Sequence, residues 1–281
     1  MRRPDGRSDD RPGPRVQGVV MPDAIHRSGS SSHASAFPYE TALITGASRG
    51  LGRALARTLA LDQGLRVVLV ARGQAALDQV VAEIRAEGGV AHAIAADIAD
   101  KHAIHRIAGE AAALVGDIDL LIHAASTLGP TPLRLLLDSE CEDFAAVLEA
   151  NLLGPFRLSK ALLGSMVLRA RGAVVDISSD AGIEAYPGWG LYGVSKAALD
   201  HLTRIWAAEL GSDVRMLAID PGEMDTQMHA DALPDADPST LARPEAVAAT
   251  IVAMLADPER AKSGARLSAT SWTAELEQVR S

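Results

Sequence analysis

"TALITGASRGLGRALARTLA", Thr41 to Ala60, decides the fold. It reads as a short apolar strand, a glycine-rich turn and a helix. Gly46, Gly50 and Gly52 follow the strand directly, with Ser48, Arg49 and Leu51 between them. Glycine permits φ > 0 and lets the backbone approach a bulky ligand. A helix starting beside that turn offers unpaired N–H groups and a positive dipole end to a phosphate. An ordinary tight turn would also use glycine. The strand before and the helix after favour a pyrophosphate site at the first strand of a sheet.

Further strands are predicted over 66–71, 90–97, 118–124, 172–178 and 214–220, with a short one over 265–269. Helical stretches are predicted over 51–61, 74–87, 101–115, 140–169, 191–210 and 244–255. The strands are apolar throughout rather than alternating, which marks strands buried on both faces. Strand–helix alternation at this spacing predicts an α/β fold: a doubly wound, mainly parallel sheet of about seven strands. In the helix over 191–210, Leu191, Val194, Ala198, Leu202 and Ile205 form one apolar stripe, and Leu199, Trp206 and Leu210 a second. One side should meet the sheet, and the other a second subunit or another helix of the chain.

The 281 residues carry a net charge of −9, which disfavours binding to a nucleic-acid backbone. No apolar run reaches the ~18 residues that a membrane-spanning helix needs. The single cysteine, Cys141, excludes an intramolecular disulfide and suits a reducing cytoplasm. Residues 1–38 are rich in Arg, Ser, Pro, Gly and Asp, the composition of a disordered extension. Residues 39–281 then form a single domain.

The second strand ends in Ala71 and Arg72. NAD sites usually place an acid there to hold the ribose hydroxyls, whereas an arginine pairs with a 2′-phosphate. Arg72, with Arg49 in the glycine loop, therefore points to NADP(H). Asp97, after the third strand, could meet the adenine or cap the next helix. In "GWGLYGVSK", 188–196, Tyr192 and Lys196 share one helix face. Lys196 is expected to lower the Tyr192 pKa from its usual ~10 toward catalytic use.

Five motifs now stand in order: TGxxxGxG (45–52), NLLG (151–154), ISSDAG (177–182), YxxxK (192–196) and PGEMDT (221–226). Together they resemble the short-chain dehydrogenase/reductase family in its single-domain, Rossmann-like branch. "GWGLYGVSKAALD", "PGEMDTQM" and "KSGARL" are similar to the sepiapterin reductase and benzil reductase group. The resemblance implies that Tyr192 donates a proton to a carbonyl oxygen while NADPH delivers hydride. It implies that Lys196 holds the nicotinamide ribose and that Ser179 hydrogen-bonds the substrate oxygen, with Ser178 as competitor. It further implies that Asn151 holds a relay water near Lys196. Ala124 would lie near the cofactor, and Pro221, Gly222 and Thr226 would line its nicotinamide end.

Several positions depart from the family pattern. His123, Ala124, Ala125 and Ser126 stand where Asn-Asn-Ala-Gly is usual. His123 is expected to be a hydrogen-bonded imidazole inside the sheet edge rather than a catalytic group. Asp176 replaces a common Asn and is expected to bond nearby backbone N–H groups. Ser268 falls where sepiapterin reductases carry the aspartate that anchors the pterin, which speaks against a pterin substrate. The acidic, proline-broken segment 223–244 is expected to cover the substrate, with Met224 and Met228 as apolar contacts. The reading that follows is an NADPH-dependent carbonyl reductase acting on a small ketone, aldehyde or diketone, without a metal, as a homodimer or homotetramer. The alternatives are a dinucleotide-binding regulator or scaffold with little turnover, and an NAD-linked alcohol dehydrogenase.

Overall fold

The computed structural model describes residues 37–273. Seven strands form one parallel sheet in the order β3-β2-β1-β4-β5-β6-β7. They are β1 (Thr41–Thr45), β2 (Arg66–Ala71), β3 (Val90–Ala95), β4 (Leu120–His123), β5 (Ala173–Ile177), β6 (Arg215–Asp220) and β7 (Arg266–Ser268). The helices are α1 (Gly50–Leu61), α2 (Gln74–Ala86), α3 (Ile104–Val115), α4 (Cys141–Leu148), α5 (Gly154–Leu168), α6 (Gly190–Leu210), α7 (Gln227–Ala232) and α8 (Pro244–Ala256). The predicted doubly wound α/β sheet is thus observed; β1 and β2 have the expected bounds, and the other five strands are one to three residues shorter than expected.

Alternate strand residues feed two cores. Ile44, Leu69, Ile122, Val175 and Leu217 pack under α1, α2 and α8. Leu43, Val68, Leu121, Val174 and Met216 pack under α3 and α5 and the C-terminal part of α6. Strands buried on both faces need apolar residues at every position, which explains their continuous hydrophobic runs. The strand order reverses between β1 and β4, so a crevice opens above their C-terminal ends, where doubly wound sheets bind ligands.

Three departures from the expectations have physical causes. The helix expected over 140–169 is interrupted by a π-helical turn, Glu149–Leu153, which carries Asn151. Gly154 follows it at the start of α5, and a Cβ there would lie 2.7 Å from the Ile98 carbonyl oxygen. On α6 the stripe that reaches the sheet is largely polar: Tyr192, Ser195, Lys196, Asp200 and Thr203 are buried beside Leu199. Val194 and Ile205, from the expected apolar stripe, stand 48% and 42% exposed. A sequence pattern that counts only apolar residues misses this, because here buried polar groups are held by hydrogen bonds. At the N-terminal boundary, Phe37 and Tyr39 pack edge-to-face at 5.6 Å and join the core, so the ordered chain begins before residue 39. Residues 1–36, to which the expectation of disorder applies, lie outside the described residues.

Candidate active site

A cleft of about 1600 Å³ opens above the strand ends. That is larger than the roughly 300–1,000 Å³ of an ordinary small-molecule pocket, and suits a dinucleotide with a substrate. One end is made of backbone. Gly46 has φ 71°, and a Cβ on it would lie 2.6 Å from Ala125 N. A Cβ on Gly52 would strike the Gly46 carbonyl oxygen. The two glycines let the turn, the loop after β4 and the start of α1 stack closely enough to leave a cradle. Ser48, Arg49, Gly50 and Leu51 line it from the turn, and Ala124 from the loop. Arg72, just past β2, lines the same end together with Asp97. Neither Arg49 nor Arg72 is in an ion pair among the described residues, so both guanidinium groups can meet a phosphate. Asp97 Oδ1 accepts the Ala99 N–H at 2.9 Å, capping a turn well before α3.

The other end is made of side chains. Tyr192 and Lys196 lie on the sheet-facing side of α6, buried to 8% and 2% exposure. Ser179 follows β5, its Oγ donating to Asp180 Oδ1 at 3.0 Å and accepting from Ala181 N at 3.2 Å. It also lies within hydrogen-bonding reach of the Tyr192 phenol. Ser178, the competing residue, is buried, with no hydrogen-bond partner for its hydroxyl among the described residues. Pro221, Gly222 and Thr226 close this end, with Thr226 Oγ1 capping α7 through His229 N at 3.3 Å.

The electrostatics differ from the expectation. Burial pushes the Tyr192 phenol up to about 12. Ser179 opposes this, while the carboxylates of Asp220, Asp180 and Asp200 add to it. Lys196, whose ammonium donates to the Ile177 carbonyl at 2.7 Å and sits 5.5 Å from the phenol ring centroid, does not offset this rise, because it gives up its own proton before the phenol titrates. Burial in turn pulls Lys196 down to about 8, against the pull of Asp176 and Asp200. The expected lowering of the tyrosine is therefore corrected: in this structure the tyrosine is held as a phenol, a proton donor.

The Asn151 side chain is fully engaged within the protein. Its Oδ1 accepts from Thr127 N at 2.8 Å and Ser126 Oγ at 3.1 Å. Its Nδ2 donates to Thr127 O and Ser195 Oγ, each at 2.9 Å. All four side-chain bonds are thus used. The side chain braces the loop after β4 against α6, and it has no donor left for a relay water.

His123 points away from the cleft; its Nε2 bonds Ser159 Oγ at 2.9 Å and burial pulls it down to about 3. Asp176 meets Thr203 Oγ1 at 2.7 Å rather than backbone N–H groups. Ser268, on β7, pairs in register with Asp220 of β6 and is not itself part of the cleft lining.

Sequence reasoning missed Arg266. It donates to Asp200 Oδ2 at 2.9 Å, Asp220 Oδ2 at 3.1 Å and the Ser179 carbonyl at 2.8 Å. It thus ties β7 to α6 and to Ser179. An arginine in a short terminal strand carries no local signal of this; only the sheet order brings it there. Trp189 lines the same cleft. Its ring meets Tyr192 edge-on at 5.8 Å. With Leu128, Leu133 and Met228 it makes an apolar wall beside the phenol.

A parallel sheet with a glycine cradle at its switch point, and a Ser–Tyr–Lys set on the neighbouring strand and helix, defines a dinucleotide-linked oxidoreductase. The chain belongs to the short-chain dehydrogenase family, whose model matches residues 40–237. It is 37% identical over 234 residues to a 3-oxoacyl-[acyl-carrier-protein] reductase of Synechocystis sp., covering 81% of this chain and 93% of that one. A short chain dehydrogenase from Shigella flexneri 2a solved with NADP superposes with a TM-score of 0.78 at 27% identity, over 85% of this chain and all of that one. A 7α-hydroxysteroid dehydrogenase solved with NADH and a 7-oxo bile acid gives 0.74 at 28% identity, over 83% and 93% of the two chains. Among the described residues no helix is long and apolar enough to cross a membrane, and no group of His, Cys, Asp or Glu could hold a metal ion.

Proposed function

We propose that this chain is an NADPH-dependent carbonyl reductase for small, uncharged ketones, aldehydes or diketones, with Tyr192 as the proton donor. The observation that carries the reading is the convergence of Ser179, Tyr192 and Lys196 at one end of a cleft whose other end is a glycine cradle flanked by Arg49 and Arg72, neither in an ion pair among the described residues. Arg72 and Arg49 would hold the 2′-phosphate, the turn 46–52 the pyrophosphate, and Lys196 the nicotinamide ribose. The hydride for the carbonyl carbon would come from a bound reduced nicotinamide.

The chain's own residues supply the rest. Ser179 Oγ turns from Asp180 to the carbonyl oxygen and fixes its position. Tyr192, kept protonated by burial, gives its proton to that oxygen as negative charge develops there. Trp189, Leu128 and Met228 exclude water from the reacting carbon. Asp180, Glu223 and Asp225 line the mouth and repel anionic substrates. A pterin is disfavoured because Ser268, hydrogen-bonded to Ser271 N at 3.4 Å, offers no carboxylate. The exposed Val194 and Ile205 of α6 support burial against a second copy, in a cytoplasmic homodimer or homotetramer.

The test is NADPH oxidation with a panel of ketones, aldehydes, a diketone, sepiapterin and a 3-oxoacyl thioester. Turnover of a neutral carbonyl is expected. Tyr192→Phe should lower kcat by ~10³-fold, in the range of general-acid catalysis, while NADPH still binds. Saturable NADPH binding without turnover on any carbonyl would replace this reading with the regulator.

A further inference from the structure

Beneath Tyr192, Lys196 is surrounded by buried charged groups that the chemistry above does not use. Asp176 on β5 stands in register between His123 of β4 and Ala218 of β6. From α6 it faces Thr203, Lys196 and Asp200. Arg266 closes the group by pairing with Asp200 and Asp220. His123 is neutral there and adds no charge. Lys196 and Arg266 therefore face Asp176, Asp200 and Asp220, one carboxylate more than the cations can balance. An uncompensated buried charge is costly enough that such a group takes up a proton instead.

The surrounding hydrogen bonds fit a proton on Asp176. Thr203 has one hydroxyl proton and two close acceptors, Leu199 O at 2.9 Å and Asp176 Oδ2 at 2.7 Å. It can serve only one of them fully at a time, so the Asp176 carboxyl has at most one side-chain donor there. Among the described residues Asp176 Oδ1 has no hydrogen-bond partner. A neutral carboxyl tolerates that in a buried site far better than a carboxylate does.

We propose that Asp176 is a positioning residue that keeps a proton on the acid side of neutrality and, on releasing it, becomes the counter-ion that holds Lys196 as an ammonium. The residue after it, Ile177, supplies the carbonyl that Lys196 grips, so charge and anchor come from adjacent positions of one strand. Burial raises Asp176 to about 7 while lowering Lys196 to about 8, so the two titrations are adjacent and coupled. As the solution turns alkaline, Asp176 ionises first and delays the loss of the lysine charge. The consequence for catalysis rests on the reductase reading; the protonation itself does not.

The test therefore has two arms. The chain has four lysines, Lys101, Lys160, Lys196 and Lys262, so lysine labelled with 13C at Cε gives few signals to assign. In Asp176→Asn, the Lys196 signal should titrate about one pH unit lower than in wild type. An unchanged titration overturns the proposal. Infrared difference spectra of wild type should show a buried protonated carboxyl at pH 6 that is gone by pH 9. This measurement needs no variant to fold, and absence of the band at pH 6 also overturns the proposal. In the kinetic arm, kcat/KM of Asp176→Asn should match wild type near pH 6 and fall about tenfold behind it near pH 8.5. A loss equal at every pH would mean a merely structural role and defeat the proposal. A shifted lysine titration without turnover in either protein would leave the counter-ion standing and count against the reductase reading instead.

Discussion

The two ends of the cleft are built from different parts of the chain. The cradle is shaped by backbone: the turn 46–52 leaves room because side chains are missing from Gly46 and Gly52. The end that holds Ser179, Tyr192 and Lys196 is shaped by buried polar side chains from β5, α6 and β7, each held by another group. A backbone site is fixed by sterics and fails abruptly when space is filled. A side-chain network is fixed by charge and hydrogen bonds, and it shifts by degrees with pH.

The sharpest way to break this contrast is to fill the cradle. In Gly46→Ala the new Cβ would come 2.6 Å from Ala125 N, on a residue already at φ 71°. Strain and overlap of this kind cost about 1–3 kcal/mol. NADPH affinity, read by quenching of tryptophan fluorescence, is expected to fall ~100-fold, equivalent to about 2.7 kcal/mol. A variant that binds NADPH like wild type would show that the cradle is not set by backbone contact.

The same contrast explains what was legible in the sequence. The cradle was, because missing side chains leave a local signature: three glycines at fixed spacing between a strand and a helix. Tyr192 and Lys196 were too, since one turn of helix fixes their relation. Arg266, Asp220 and Asp200 were not. They lie far apart in the chain, and only the pairing of β6 with β7 beside α6 joins them. The polar stripe of α6 was hidden for a related reason: it is buried by partners on β5 and β7 that no local pattern reveals. The Tyr192 pKa went the wrong way because the sequence placed one cation nearby but showed neither the burial that chiefly raises it nor the three carboxylates that add to the rise.

An intermediate effect is expected at Arg72, where a side chain serves the backbone-built end. Removing one charge-assisted contact with a phosphate costs roughly 1.5–3 kcal/mol when the site is shielded. Arg72→Ala should therefore weaken NADPH binding ~10-fold or more, while NADH affinity changes less than about twofold. Equal losses for both cofactors would assign Arg72 to folding rather than to the 2′-phosphate. Weakening of NADH alone would overturn the NADP(H) assignment.

The smallest effect at neutral pH is expected at His123, which stands behind the end that holds Tyr192 and Lys196 without touching it. Its ring is neutral because burial, and then the Lys196 charge, pull it from the ordinary 6.5 to about 3. The folded state thus binds fewer protons than the unfolded one between these values. Its contribution to stability is full above pH 6.5 and is lost as pH falls toward 3. The slope approaches about 1.4 kcal/mol per pH unit, set by the one proton that the unfolded chain takes up. Asp176, raised instead of lowered, has the opposite sign over pH 4–7, but it is present in both proteins and cancels from their difference. His123→Gln keeps a side-chain amide in reach of Ser159 and removes the titration. Urea unfolding at pH 7.5 should separate the two proteins by no more than about 1 kcal/mol, the worth of one altered hydrogen bond. At pH 5 and 4.5 the balance should move progressively toward the variant. Parallel stability curves for the two proteins would mean that the imidazole takes up its proton in place, so that the neutral buried histidine, and with it the charge census under Lys196, is wrong.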